Sequence, residues 1–135
     1  MYKKVLVPMA LDHDISQHTL AVARALSPGG GELIALHVYE MPQGSVSAFL
    51  DKDLVAEGYR RARLELSRKV EGREGVSSEL VKGHTARTII DFAAENGVDC
   101  IVIGSHKPDL SDYFLGSTAS RVVRHAPCAV HVYRR

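Results

Sequence analysis

The residues best placed to do chemistry run from Gly104 to Thr118: Gly-Ser-His-Lys-Pro-Asp-Leu-Ser-Asp-Tyr-Phe-Leu-Gly-Ser-Thr. Gly104 closes the apolar run Asp-Cys-Ile-Val-Ile-Gly, and a glycine at the carboxyl end of a strand lets a ligand approach the backbone. Gly116, followed by Ser117 and Thr118, opens a helical pattern. The free N–H groups and positive dipole end of such a helix suit a phosphate. The Ser117 and Thr118 hydroxyls add donors, and Lys107 brings a positive charge from the loop, beside Ser105 and His106. The same residues also have a plainer reading, in which Ser117 caps the helix and Gly116 makes the turn. His106 can touch phosphate or trade a proton, but the sequence offers it no partner for acid–base catalysis.

Other chemically capable residues read as structural. Asp12-His13-Asp14 has metal-ligand types, but adjacent side chains rarely converge on one ion, so the triplet reads as a polar loop with a helix cap. His37 and His131 lie inside apolar runs and are expected in the core or an interface. Cys100 and Cys128 also sit in apolar runs with no CxxC pairing, and are expected to be buried, reduced thiols. Gly29-Gly30-Gly31 has neither form of phosphate-loop motif and reads as a turn. Arg60, Arg61 and Arg63 read as a solvated helix face.

The elements that must carry these residues follow from apolar patterning. Lys4–Met9 is a short run without polar alternation, as in a strand covered on both faces. A helix opening at Asp14 or Ser16 carries Leu20, Ala23, Ala25 and Leu26 before Pro28 and the glycines stop it. Glu32–Tyr39 is the second strand, followed by a looser stretch from Glu40 to Leu50. Asp51 to about Arg73 is helical, with Leu54, Tyr59, Ala62, Leu66 and Val70 near the right spacing. Val76–Val81 is a weaker strand, and a helix from His84 or Thr85 ends at Asn96-Gly97. Asp99–Gly104 is the clearest buried strand, a helix from Gly116-Ser117-Thr118 runs to about His125, and Cys128–Tyr133 is the last strand.

This alternation predicts an α/β fold with a five-stranded parallel open sheet, order 3-2-1-4-5, and helices on both faces. Ligands of such sheets bind beyond the strands' carboxyl ends, at the switch between strands 1 and 4. That rule selects the loops Pro8–Asp14 and Gly104–Thr118.

Composition narrows the function. At 135 residues the chain predicts a single domain, residues 1–135. The net charge of +1 gives no global field for nucleic acid or an acidic membrane. Trp is absent and aromatics are 6%, a poor basis for base stacking. With no signal-peptide pattern and no apolar span of membrane length, a cytoplasmic location is expected.

Lys4-Val-Leu-Val-Pro8, Leu36-His37-Val38, Ile101-Val-Ile-Gly-Ser-His106 and the run from Leu115 to Val132 together resemble the universal stress protein family. The loop most resembles its small bacterial F- and G-type branch. The resemblance spans essentially the whole chain. It implies a flavodoxin-like fold, a homodimer or tetramer, and in many members a bound ATP with Mg2+. The phosphate loop of ATP-binding members follows G-x2-G-x9-G-[ST]. Gly104 and Gly116-Ser117 match its ends; Lys107 stands at the middle glycine, and the spacing to Gly116 is one residue shorter. The loop therefore wraps the phosphates differently, with Lys107 supplying charge. Pro8, Met9 and the following residues match the strand tip beside the base and ribose. The usual acidic residue two positions after that proline is Ala10 here; either Asp12 replaces it or that contact is missing. Val38 matches the position whose backbone recognises the adenine edge.

The last strand would be an edge strand, so Val130, His131 and Val132 are expected in a two-fold interface. The resemblance implies dimerisation there too. The expected function is a cytoplasmic ATP-binding stress-response module. The alternatives are a nucleotide-free dimeric interaction protein, favoured by Ala10 and Lys107, and a slow ATPase or self-phosphorylating protein using Ser117.

Overall fold

The computed structural model describes residues 1–11, 15–40, 52–105 and 115–134, with the side chains of Ile15 and Ser16 outside that set. Asp12, Asp14, His106, Lys107 and the stretch 41–51 lie outside the described residues. The elements are β1 (Lys4–Pro8), α1 (Ile15–Leu26), β2 (Glu32–Tyr39), α2 (Lys52–Val70), β3 (Val76–Lys82), α3 (Thr85–Glu95), β4 (Cys100–Gly104), α4 (Ser117–His125) and β5 (Ala129–Tyr133). All five strands pair in parallel, in the order β3-β2-β1-β4-β5.

The unbroken apolar character of β1, β2 and β4 follows from helices on both faces of the sheet. Side chains alternate between faces along each strand. Leu6, Ile34, Leu36, Val38, Ile101 and Ile103 pack with Ile89 and Ala93 of α3 and Ala119 and Val122 of α4. Val5, Val7, Leu33, Ala35, Cys100 and Val102 pack on the opposite face with Leu20 and Ala23 of α1 and Leu66 of α2. A fully buried residue such as Leu6 or Ile101 contributes about 1.5–3 kcal/mol by leaving water.

At the amino ends of the strands, Asp99 ties β4 to β1. Its two carboxylate oxygens accept the N–H groups of Lys3 at 2.8 Å and Lys4 at 3.0 Å. Burial pushes this carboxyl up, but these bonds, its own N–H and the Lys3 charge outweigh it, and it lies below its ordinary value.

Three expectations about the elements and their packing need correction. α2 ends at Val70, short of Arg73, with Gly72 and Gly75 at positive φ beyond it. Leu54 is 67% exposed, because the buried stripe runs through Val55, Tyr59, Ala62, Leu66 and Val70, and Leu54 sits about 100° around the helix from it. Cys128 is only half-buried, since it precedes an edge strand; Cys100 is buried, and both are free thiols. The arginine face is solvated as expected: Arg60 and Arg61 pair with Glu57, and Arg63 lies 5.3 Å from the Tyr59 ring centre.

Candidate functional site

The seam between β1 and β4 is unpaired toward the strands' carboxyl ends, and the reason is Pro8. In β1 the even-numbered residues turn their backbone groups toward β4, as the Lys4 carbonyl does in accepting the Asp99 N–H at 3.0 Å. The odd-numbered residues turn toward β2: the Lys3 carbonyl accepts the Glu32 N–H at 2.9 Å, and the Met9 N–H donates to the Leu36 carbonyl at 2.7 Å. Pro8 therefore faces β4 with no N–H to give. The β1–β4 ladder ends at Leu6 and Ile101. The β1–β2 ladder continues to Pro8 and Leu36, and the β4–β5 ladder to Gly104 and Tyr133.

Val38 lies beside this seam. The Leu36 carbonyl faces β1, and the Tyr39 carbonyl faces β3, where it accepts the Gly83 N–H at 3.2 Å. By strand alternation, Val38 turns both its N–H and its C=O toward the β1 side, past the last β1–β2 pair. Among the described residues no hydrogen bond occupies that edge. The Val38 side chain is buried in the core, so only its backbone can be read from outside.

The two glycine ends of the loop, far apart in sequence, meet in space. The Gly116 N–H donates to the Ser105 carbonyl at 2.6 Å, and the Ser105 N–H donates to the Tyr133 carbonyl at 3.0 Å. Ser105 is thus fixed between β5 and α4, with only 2% of its surface exposed. Gly116, not Ser117, is the N-cap of α4, and no side-chain cap bond is made there. This corrects the capping role of Ser117: a glycine offers no side-chain oxygen, and Ser117 is already the first helical residue. Among the described residues the first-turn N–H groups of α4 thus receive no cap from the N-cap side chain, at the positive end of the helix dipole. Ser117 is exposed, Thr118 is half-buried and Ala119 is anchored in the core.

The site residues read from sequence fall into two groups. Pro8, Met9, Ala10, Val38, Gly104, Ser105, Gly116, Ser117 and Thr118 all sit at the carboxyl end of the sheet, around the switch. Asp12, His106 and Lys107 lie outside the described residues. Among the described residues no group of three or more His, Cys, Asp or Glu could hold a metal ion.

His37 adds a contact that sequence reading missed. Its Nδ1 is 2.7 Å from the Met9 carbonyl, so this half-buried histidine is tied to the tip of β1. Only its place in the strand, one residue before Val38, hinted at this. His131, by contrast, is exposed on β5 and not in the core.

The chain matches the universal stress protein family over residues 1–134. It belongs to that family. It is similar to universal stress protein G of Shigella flexneri, with 31% identity over 99% of this chain and 100% of that protein. Its fold is similar to that of universal stress protein UspA from Lactobacillus plantarum, at a TM-score of 0.72, 26% identity and 98% coverage of each chain. Two further solved universal stress proteins share the fold: one in complex with cAMP, at a TM-score of 0.71 and 22% identity, and one from Archaeoglobus fulgidus in complex with dAMP, at 0.66 and 20%. They cover 98% and 97% of this chain, and it covers 97% of each of theirs. The fold is thus the flavodoxin-like α/β arrangement of its structural relatives. Among the described residues no helix is long and apolar enough to cross a membrane.

Proposed function

We propose that this chain is a cytoplasmic, ATP-binding regulatory module of the stress response. The observation that carries the reading is the backbone edge of Val38, with an N–H and a C=O turned to the unpaired seam beside Pro8. An N–H and a C=O side by side complement the acceptor N1 and donor N6 of adenine. The ribose would lie along Met9 and Ala10. The phosphates would meet Gly104, Ser105, His106 and Lys107, and the first turn of α4 at Gly116, Ser117 and Thr118, with Mg2+ balancing their charge. The uncapped α4 terminus and the Ser105–Gly116 bond suit that role, since a phosphate is a natural acceptor for first-turn N–H groups. Relatives of the same fold solved with cAMP and dAMP support an adenine nucleotide.

A second copy would pair along β5. This strand has a neighbour on one side only, with Val130 and Val132 half-buried and His131 exposed. An isologous two-fold pairing closes such an edge.

Thermal unfolding with Mg-ATP, and with AMP and GTP as controls, tests the nucleotide reading. ATP at 100 times its dissociation constant adds about 2.7 kcal/mol, which raises the midpoint by roughly 5–10 °C. No shift, in protein shown by mass to carry no nucleotide, would overturn ATP binding in favour of the nucleotide-free interaction protein. The molar mass in solution, with and without a charged substitution at Val130, tests the dimer.

A further inference from the structure

We propose that His37 is a positioning residue, which keeps the Val38 backbone edge available by holding the Met9 carbonyl away from it. The geometry comes from the ladder itself. Parallel pairing of β1 and β2 advances from Val5↔Leu33 to Pro8↔Leu36, and the Met9 N–H still reaches the Leu36 carbonyl at 2.7 Å. One further rung would join the Val38 N–H to the Met9 carbonyl. That rung is not made, and the ladder stops. The Met9 carbonyl lies 2.7 Å from His37 Nδ1. A carbonyl only accepts, so Nδ1 carries the hydrogen and donates.

His37 is one residue before Val38, so its side chain leaves the sheet on the face shared by Leu33 and Ala35. A donor there draws the Met9 carbonyl toward that face and out of line with the Val38 amide. The histidine thus replaces a strand-to-strand bond with a side-chain bond. It satisfies the Met9 carbonyl and leaves the Val38 N–H and C=O as a pair for a planar ligand edge. The consequence for the ligand rests on the adenosine reading above; the geometry does not.

The full chain would be compared with His37→Leu, which removes the donor, and with His37→Asn, whose amide nitrogen falls near the place of Nδ1. Backbone amide exchange, read by NMR, is the first readout. The Val38 N–H of the unmodified chain should exchange about a hundredfold faster than the laddered Leu36 N–H. In H37L the missing rung forms and Val38 exchange slows toward that of Leu36; in H37N it stays fast. A merely structural histidine would do the reverse, because its loss would speed exchange at Val38 and its neighbours together. Calorimetric titration is the second readout. ATP affinity should fall about tenfold in H37L, roughly the share of one hydrogen bond, and recover in H37N. Affinity for inorganic tripolyphosphate should be equal in all three. A Val38 amide as protected as Leu36 in the unmodified chain overturns the proposal, as does an H37L protein with unchanged exchange. If the unmodified chain binds no ATP, the nucleotide reading falls alone, and the exchange pattern still decides the role of His37.

Discussion

One carboxylate oxygen of Glu40 accepts both hydrogen bonds that Thr85 can donate, from its N–H at 2.9 Å and its hydroxyl at 2.6 Å. The N-cap of α3, His84, makes no side-chain cap bond. The residue that directly follows β2 therefore caps the helix that follows β3, and joins two elements at the site's end of the sheet. The hydroxyl bond, then the backbone bond, hold the Glu40 carboxyl below its ordinary value; burial opposes them, and the nearby His84 helps.

Removing this cap should show in stability and in its dependence on pH. Glu40 is exposed, so Glu40→Ala should cost about 0.5–1 kcal/mol at neutral pH, the low end of the capping range. That lowers the thermal midpoint by roughly 2–5 °C. A carboxyl depressed by folding stabilises the protein above its unfolded value, 4.5, and that contribution is lost as pH falls through the lower folded value. The midpoints of E40A and the unmodified chain should therefore converge in acid. A gap that persists there would mean that packing, not charge, holds the cap.

The cysteines should be slow to react. Burial, then the neighbouring Cys128 and Asp99, push the Cys100 thiol up to about 11, against one opposing bond from the His131 backbone. At neutral pH only about one in ten thousand such thiols is ionised. Burial and Asp99 raise Cys128 as well. A chromogenic disulfide reagent should label the native protein far more slowly than the denatured chain, with half-buried Cys128 reacting before Cys100. Rapid labelling of Cys100 without denaturant would contradict the packing of β4.

Two glycines of one turn, Gly29 and Gly31, should respond unequally. A Cβ at Gly31 would stand 2.9 Å from the carbonyl oxygens of Tyr2 and Lys3 and collide with the Ser27 hydroxyl. Gly29 has open space around it. Gly31→Ala should cost about 1–3 kcal/mol, whereas Gly29→Ala should stay within about 0.5 kcal/mol, measured by denaturant unfolding. Equal effects would show that the β1–β2 approach is looser than described.

Pro8 should matter to the ligand more than to the fold. Pro8→Ala restores the donor that faces β4 and lets the ladder run one rung further. The gained bond, about 1 kcal/mol, nearly offsets the extra freedom of the unfolded chain, about 0.4–1 kcal/mol. Denaturant stability should hardly change, while ATP affinity should drop about tenfold as the seam closes. An unchanged affinity would move the adenosine away from the β1 tip.

Local pattern carried the sheet. Glu32–Tyr39 and the apolar run through Gly104 are strands because only a doubly covered strand stays apolar on both faces. The glycines and prolines between them marked most of the ends. The place of the candidate site was legible as two loops, since the switch point follows from strand order alone. What escaped were contacts whose partners are distant in sequence. Glu40 and Thr85 are 45 positions apart, and nothing in either segment names the other. The His37 bond was hidden for a different reason: a histidine inside an apolar strand looks like a core residue until the neighbouring strand is seen to end beside it. Leu54 misled because helical spacing tolerates an error of one residue until the opposing face is known.

The Ser105–Gly116 bond has an evolutionary consequence. It uses only main-chain atoms, so it depends on no side chain in the intervening segment. With both ends fixed, losing one residue between them changes the closure entropy by only roughly 0.1 kcal/mol. Insertions, deletions and new sequences can therefore be tried in that segment ahead of Leu115, which packs against the core, without breaking this bond between β4 and α4. A loop one residue shorter than the pattern the family resemblance implies is what such freedom allows, while the scaffold on either side stays constant.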